Sequence, residues 1–507
     1  MQRLSTRQGG GPGQPTVPPG VTFAAPTTKS FTVRYTFTFF LTLLALALTA
    51  QDGHAITVRI DGYDEPYLSL ANNVMDKQYV VDTAYRTPAG EYVFSSDTAA
   101  LPGGIYLVVL APDNNYFQMV VGGGADQEFS LRTSVDDLSA ARVEGSAENE
   151  LFFDYLAFLD RQGKATKSVR EALADTSLTE AARAPLLAQY DRVTAKVNAY
   201  QDQIIAEHPE SFTATIIRSN RPNNPPPFAD LAEDERRQAQ YEWLLAHYFD
   251  PLDLTDDRLL RTPFLFERID YYVSKLHVQH PDSVARAIDK VLARMNPDSE
   301  LFKYYVVHFT NQAARSNYVG MDAVYVHMVD QYYTNGRAYW ANEEQLATMR
   351  ENADKTRPLL IGKPAPNLKM QRRDGRPVEL YDIDANYTIL YFWQFACGSC
   401  KKATPKMKAF YDKWKDRGVE IFSICTKQNE IDKCWEYIDD KEIGDWLHAT
   451  DRYMRFYRDY DIRSTPSIFV LDADKKIVSK RIGAEQLDEV LTQLEKLKTA
   501  VQGTEKR

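Results

Sequence analysis

Two of the four cysteines in the 507-residue chain, Cys397 and Cys400, are separated by only two residues. The apolar run 387–393 before them predicts a strand, and the amphipathic run 401–415 after them predicts a helix. Two thiols at this spacing can close a small disulfide, and a helix N-terminus stabilises a thiolate through its free backbone N–H groups. We therefore predict that Cys397 is a nucleophile and that Cys400 is the resolving thiol that breaks a mixed disulfide.

The other two cysteines bear on different interpretations of this motif. A structural zinc site needs four ligands at suitable spacing, and only Cys425 and Cys434 remain, on different predicted elements. We predict no metal site and no cofactor beyond the redox-active pair. A purely structural Cys397–Cys400 disulfide stays open, although a strand followed by C-x-x-C and a helix is the context of redox chemistry. Cys425 is expected to be a core thiol and Cys434 to pack against the sheet; whether the two pair is left open.

Predicted strands and helices alternate over residues 358–507, which indicates an α/β domain. The strands are predicted at 387–393, 419–425, 467–471 and 477–481, the last two as a hairpin around the turn 472–475. The helices are predicted at 401–415, 430–439 and 485–497.

This region resembles the thioredoxin-like fold, and most closely the exported thiol-disulfide oxidoreductases of the TlpA/ResA type. Three motifs carry the resemblance: the opening Gly362-Lys363-Pro364-Ala365-Pro366, the pair Phe392-Trp393 before the C-x-x-C, and the pair Thr465-Pro466 before a strand. The resemblance implies a cis-proline loop at Thr465-Pro466 that faces the dithiol. It also implies that Trp393, Thr465 and Pro466 lie where a substrate polypeptide binds.

Three positions depart from thioredoxin itself. The pair Gly398-Ser399 replaces its Gly-Pro pair, Tyr391 stands where it has a buried Asp, and Ala396 replaces the Trp that often precedes the first Cys. The resemblance therefore implies dithiol chemistry, but it does not fix the redox potential or the direction of electron transfer.

The residues before 358 are predicted to form two further domains. Short β-type runs separated by turn residues predict an antiparallel β domain over 51–135, with strands at 56–60, 67–70, 78–82, 92–95, 105–110, 116–121 and 128–131. Apolar residues at three- and four-residue spacing predict a helical domain over 146–356, with helices at 185–206, 263–278 and 283–295 and a loop at 221–227. Pro185 and Pro263 suit the first turn of a helix, and His277 and His280 could share a helix face.

The predicted fold class is therefore multidomain, with an N-terminal antiparallel β domain, a middle all-α domain and a C-terminal α/β thioredoxin-like domain. Larger exported members of the resembled family have this architecture. The resemblance assigns no activity to the first two domains, and neither contains a catalytic constellation.

Residues 1–50 predict a disordered lead followed by a secretory signal peptide. Lys29 and Arg34 precede the apolar run 35–48, which is shorter than the roughly 20 residues of a membrane-spanning helix, and small residues follow it. We therefore predict export to the periplasm or cell envelope, with an uncleaved membrane anchor as the alternative.

Composition argues against two classes of protein, nucleic-acid binders and disulfide-stabilised scaffolds. Lys and Arg number 60 against 70 Asp and Glu, a net charge of −10, which lacks the basic footprint of a nucleic-acid binder. Four cysteines in 507 residues cannot form a disulfide scaffold. We predict an envelope thiol-disulfide oxidoreductase that acts on protein thiols or disulfides. The resemblance implies that it is a reductant with a membrane electron donor.

Two other functions stay open. One is a non-catalytic binding or assembly protein that uses the thioredoxin-like domain as a scaffold. The other is a peroxiredoxin-like peroxidase, because the Ala365-Pro366 opening is shared with that group. The sequence sets neither the substrate nor the oligomeric state.

Overall fold

The structure is a computed structural model, and it describes residues 53–123 and 127–505. The predicted lead and signal peptide at 1–50 lie outside the described residues. Within those residues, no helix combines the length and the apolar character needed to cross a bilayer.

The N-terminal β region contains two four-stranded sheets, in the orders β4-β1-β7-β8 and β3-β2-β5-β6. All neighbouring strands are antiparallel except β1 and β7, which run parallel. The strands are β1 (His54–Asp61), β2 (Tyr67–Val74), β3 (Lys77–Tyr85), β4 (Tyr92–Ser96), β5 (Gly104–Leu110), β6 (Asn115–Val121), β7 (Glu128–Ser134) and β8 (Asp137–Glu144). The sequence analysis ended this region at 135 and missed β8, because its polar, half-exposed residues form no apolar run.

The inner faces of the two sheets build one core. Ile56 and Val58 of β1 and Leu68 and Leu70 of β2 are fully buried, and the alternate positions of β1 are exposed or half-buried, as the two-residue period of a strand requires. This core continues into the helical region, where Phe152 and its neighbours join the same apolar cluster.

Nine α-helices follow β8 in the middle region, counted over the described residues up to Thr356. They are α1 (Ala147–Leu173), α2 (Glu180–Glu207), α3 (Phe212–Asn220), α4 (Glu233–His247), α5 (Leu265–Ser274), α6 (Pro281–Leu292), α7 (Glu300–Arg315), α8 (Asp322–Met328) and α9 (Glu343–Thr356). Asn149 at the start of α1 bonds to both backbone groups of Val120, at 2.8 and 2.7 Å. The helical region is thereby fastened directly to β6.

Two proline positions in this region correct the sequence analysis. The Thr179 side chain accepts the N–H of Ala182 and caps α2, so Pro185 lies inside that helix instead of in its first turn. Pro263 lies before α5, and it is Pro281 that occupies the first turn of a helix.

The predicted histidine pair is also corrected. His277 and His280 lie between α5 and α6, so they share no helix face. The predicted loop at 221–227 is confirmed, because these residues contain no helix or strand.

The C-terminal region is an α/β domain around a five-stranded sheet in the order β13-β12-β11-β14-β15. Strand β11 pairs parallel with β12 and antiparallel with β14. The strands are β9 (Lys369–Gln371), β10 (Pro377–Glu379), β11 (Tyr387–Trp393), β12 (Val419–Cys425), β13 (Leu447–Ala449), β14 (Ser467–Asp472) and β15 (Ile477–Lys480). The helices are α10 (Gly398–Trp414), α11 (Ile431–Asp440), α12 (Phe456–Asp459) and α13 (Leu487–Glu505).

Strand β11 is central and buried along its whole length. Its continuous apolar run is typical of a strand covered on both faces. Because β11 ends at Trp393 and α10 begins at Gly398, the C-x-x-C lies at the junction between the sheet and this helix.

Candidate active site

The two cysteines of the motif occupy different environments at the start of α10. Cys397 is the N-cap residue, with extended backbone angles (φ −81°, ψ 121°), and its sulfur accepts the backbone N–H of Cys400 at 3.1 Å. Cys397 is partly exposed and Cys400 is fully buried, and both are free thiols. Only the first sulfur can meet an incoming partner, while the second lies behind it in the core.

The local contacts shift the acidity of the two thiols in opposite directions. Burial acts to raise the pKa of the Cys397 thiol, but hydrogen bonds from the Cys400 thiol and the Cys400 N–H outweigh it and lower the pKa. Burial, followed by the neighbouring Cys397 thiol, raises the pKa of Cys400 to about 11. A thiolate therefore forms first at the exposed position.

The loop before β14 faces this exposed thiol. The Thr465–Pro466 peptide bond is cis. The Cys397 thiol donates to the Thr465 carbonyl oxygen at 3.2 Å. In the described part of the chain, the Thr465 N–H has no hydrogen-bond partner. The loop thus offers an unpaired backbone donor beside the reactive sulfur, which an extended peptide can use.

Trp393 corrects the sequence analysis, which placed it at the substrate-binding surface. It is 1% exposed, and its indole N–H donates to the Ser423 hydroxyl at 2.8 Å. Its ring lies against Tyr437, with centroids 5.2 Å apart. Because strand β11 is covered on both faces, Trp393 packs in the core next to the motif, and its side chain is not accessible to a substrate.

A residue that the sequence analysis missed connects the motif to the loop. The Gln394 amide donates to the Thr465 hydroxyl at 3.0 Å, across 71 positions of sequence. Its position directly after β11 was the available sign, but the partner could not be named without the fold. Gln394 holds the loop in register with the dithiol.

Tyr391 occupies the position where thioredoxin has a buried carboxylate. It is fully buried, and burial raises its pKa, so the phenol stays protonated. It therefore supplies no negative charge next to Cys400.

The remaining cysteines form a disulfide, which answers the question that the sequence left open and corrects the expectation of a core thiol at Cys425. Cys425 ends β12 in register with Trp393, and its Cα lies 6.4 Å from that of Cys434 in α11. Cys425 is 3% exposed and Cys434 is fully buried. This disulfide joins the strand next to β11 to the helix that follows it.

No group of three or more His, Cys, Asp or Glu side chains is placed to hold a metal ion within 53–123 and 127–505. The arrangement at Cys397 provides an accessible, acidified thiol, a buried second thiol and a backbone edge for a polypeptide. Such a set can exchange one disulfide for another.

Family comparisons match separate parts of the chain. Residues 361–480 match the AhpC/TSA family, and residues 207–356 match a domain of unknown function (DUF5106). The thiol-disulfide oxidoreductase ResA of Bacillus cereus is 30% identical over 145 residues, which are 29% of this chain and 82% of that protein. ResA of Bacillus subtilis is 28% identical over 118 residues, 23% of this chain and 64% of that protein.

Solved structures are similar as well. A domain of a possible thiol-disulfide isomerase from Cytophaga hutchinsonii is 42% identical and covers 28% of this chain and 98% of its own, with a TM-score of 0.27. A thioredoxin-like protein from Bacteroides caccae is 17% identical and covers 53% of this chain and 97% of its own, with a TM-score of 0.36. On the Bacillus cereus relative and the C-terminal family match, the chain belongs, through its C-terminal domain, to the ResA-type thiol-disulfide oxidoreductases.

Proposed function

We propose that this protein is an exported oxidoreductase that reduces disulfides in polypeptide substrates, with Cys397 as the nucleophile and Cys400 as the resolving thiol. The observation that carries the proposal is the asymmetry of the pair. Cys397 is partly exposed at a helix N-cap with a lowered pKa, whereas Cys400 is fully buried with a pKa raised to about 11.

The first step is attack by the Cys397 thiolate on one sulfur of the substrate disulfide. A bond forms between Cys397 and that sulfur, the substrate S–S bond breaks, and the second substrate sulfur leaves as a thiolate that takes a proton from solvent. Thr465 and Pro466 position the substrate, because the free Thr465 N–H can pair with its backbone beside the attacked sulfur.

The second step releases the product. Cys400 loses its proton and attacks the Cys397 sulfur, a Cys397–Cys400 bond forms, the bond between Cys397 and the first substrate sulfur breaks, and that first sulfur takes up a proton and leaves as a thiol. The contribution of Cys397 to the raised pKa of Cys400 falls away once Cys397 is a neutral disulfide sulfur, which leaves burial as the main opposing factor. Two electrons have then passed from the dithiol to the substrate.

Repeated turnover needs a donor that returns two electrons to the Cys397–Cys400 disulfide. We assign this role to a membrane dithiol donor, as the ResA-type resemblance implies, and we place the protein in the periplasm or cell envelope. The support for the location is the basic flank and short apolar run within residues 1–50.

The test is insulin reduction by the pre-reduced full chain. We expect Cys397→Ser to reduce insulin no faster than the buffer background. We expect Cys400→Ser to stop after one exchange, with a substrate thiol attached at Cys397 that mass spectrometry detects. Full activity of Cys397→Ser would overturn the proposal.

A redox titration tests the direction. The full chain is equilibrated with dithiothreitol or glutathione couples, thiols are alkylated, and the peptide that contains both motif cysteines is quantified. A midpoint near about −270 mV supports a reductant, whereas one near about −120 mV would reverse the direction of electron transfer. Peroxide consumption by the same sample would favour the peroxidase alternative.

A further inference from the structure

A cleft opens beside the cis-proline loop, between the helical region and the C-terminal domain. Its volume is about 670 Å³, within the range of well-formed binding sites. From the C-terminal domain it is lined by Arg463, Pro466 and Arg481, and from the helices by Ala314 of α7, Tyr325 of α8 and Asn352 of α9.

The cleft lies beside the loop that contacts the reactive thiol. Pro466 lines the cleft and directly follows Thr465, whose carbonyl oxygen is 3.2 Å from the Cys397 sulfur. A polypeptide whose backbone pairs with Thr465 must extend away from the dithiol. The cleft lies beside the loop along which such a polypeptide would extend. A small disulfide that reaches Cys397 has no need to enter it.

The two walls are joined by direct contacts, of which those of Lys480 are buried. Lys480 of β15 is 2% exposed, and its amine donates to the Asp322 carboxylate of α8 and to the Leu359 carbonyl oxygen. Farther along, Arg463 donates to the Asn352 side chain at 3.4 Å. Breaking a buried ion pair strongly destabilises a protein. The Lys480–Asp322 pair therefore holds the helical wall at a fixed distance from the loop.

The charges of the cleft leave one cation uncompensated. Asp322 is paired with Lys480, and Asp461 is paired with Arg463 at 2.8 Å. Arg481 is exposed and forms no ion pair with any described residue. A bound segment with an acidic side chain would complement this charge.

We propose that the helical domain supplies the second wall of a groove that binds the polypeptide segment flanking the substrate disulfide, with Arg481 favouring an acidic residue in that segment. This inference rests on the proposed function and gives a role to the region matched by a domain of unknown function. The groove selects extended protein segments over small disulfides.

The test fills the groove from the helical side. Ala314 is exposed, so Ala314→Trp adds bulk without disturbing a core, and Ala195→Trp in α2, also exposed, is the matched control. Substrates are a short peptide with one disulfide to a small thiol, and the small aromatic disulfide DTNB. We expect Ala314→Trp to raise KM for the peptide at least about fivefold with kcat unchanged, with less than a twofold change for DTNB.

Two further variants keep the test decisive. Asn352→Trp repeats it from α9, in case Ala314→Trp folds poorly. Arg481→Glu should reverse a preference for Glu-flanked over Lys-flanked peptides, whereas Arg192→Glu on the exposed surface of α2 should leave it unchanged.

The outcomes separate this inference from the proposed function. Equal effects of Ala314→Trp and Asn352→Trp on peptide and DTNB, or no effect on either, would overturn the groove while leaving the oxidoreductase proposal intact. A wild-type protein that reduces neither substrate would overturn both.

Discussion

The two cysteine pairs of the C-terminal domain lie at the ends of neighbouring strands and differ in bonding and in the exposure of their first member. Cys397 caps a helix and is partly exposed, with Cys400 behind it as a free thiol. Cys425 and Cys434 are joined, and both are buried. Position relative to a helix N-terminus and to solvent, and not the presence of a cysteine pair, therefore decides which sulfur can react.

The largest expected difference between the pairs is in activity. Cys397→Ser should lower the rate of insulin reduction by about 10³-fold or more, because it removes the nucleophile. The double variant Cys425→Ala/Cys434→Ala should stay within about twofold of wild type in the same assay at a temperature where it is folded, because both cysteines are buried. A comparable loss of activity in both variants would contradict the assignment of the reaction to Cys397 and Cys400 alone.

Alkylation should distinguish the two thiols within the reactive pair. At pH 7 a thiol with a pKa of about 11 has a thiolate fraction of about 10⁻⁴, so iodoacetamide should modify Cys397 at least about 100-fold faster than Cys400. The rate at Cys397 should rise with pH and level off below the ordinary thiol pKa, because its pKa is lowered. Peptide mapping by mass spectrometry gives both rates, and a plateau above the ordinary value would contradict the assigned environment.

The second pair should affect stability more than activity. Its disulfide closes a loop with a sequence separation of 9, and removing such a constraint costs about 2–3 kcal/mol through the entropy of the unfolded chain. The Cys425→Ala/Cys434→Ala variant should therefore unfold at lower urea concentration, as followed by tryptophan fluorescence. An unchanged unfolding midpoint would argue against a stabilising role for this disulfide.

The smallest expected effect concerns the hydrogen bond between Gln394 and Thr465, which connects the motif to the cis-proline loop. Gln394→Ala removes the hydrogen bond to the Thr465 hydroxyl, a contact of about 1 kcal/mol, which corresponds to about a fivefold loss in kcat/KM. Thr465→Ser keeps the hydroxyl and should retain most of the activity. If both variants match wild type, the loop does not depend on this contact.

The sequence predicted the elements that carry the chemistry, for a physical reason. Strands β11 and β12 are buried on both faces, so their apolar runs gave the observed bounds, and the C-x-x-C marked the start of α10. Strand β8 was missed because its polar residues carry no such run. The start of α2 was predicted too late, because Pro185 suits the first turn of a helix, whereas the capping residue is Thr179.

The parts of the site that were not predicted depend on contacts distant in sequence. The bond from Gln394 to Thr465 spans 71 positions, and the bond from Arg463 to Asn352 spans 111. The Cys425–Cys434 disulfide depends on how α11 packs against the end of β12, which no local pattern encodes. Trp393 was placed at the surface by resemblance, whereas its 1% exposure follows from the layers that cover β11.

The buried contact between Lys480 and Asp322 affects whether the C-terminal domain can be separated from the helical region. Cutting the chain before residue 358 would remove Asp322 and leave the amine with the Leu359 carbonyl oxygen as its remaining described partner. We therefore expect the C-terminal domain to be less stable when it is cut from the helical region than it is in the full chain. The helical region and the oxidoreductase domain are therefore expected to be expressed and engineered as a single part.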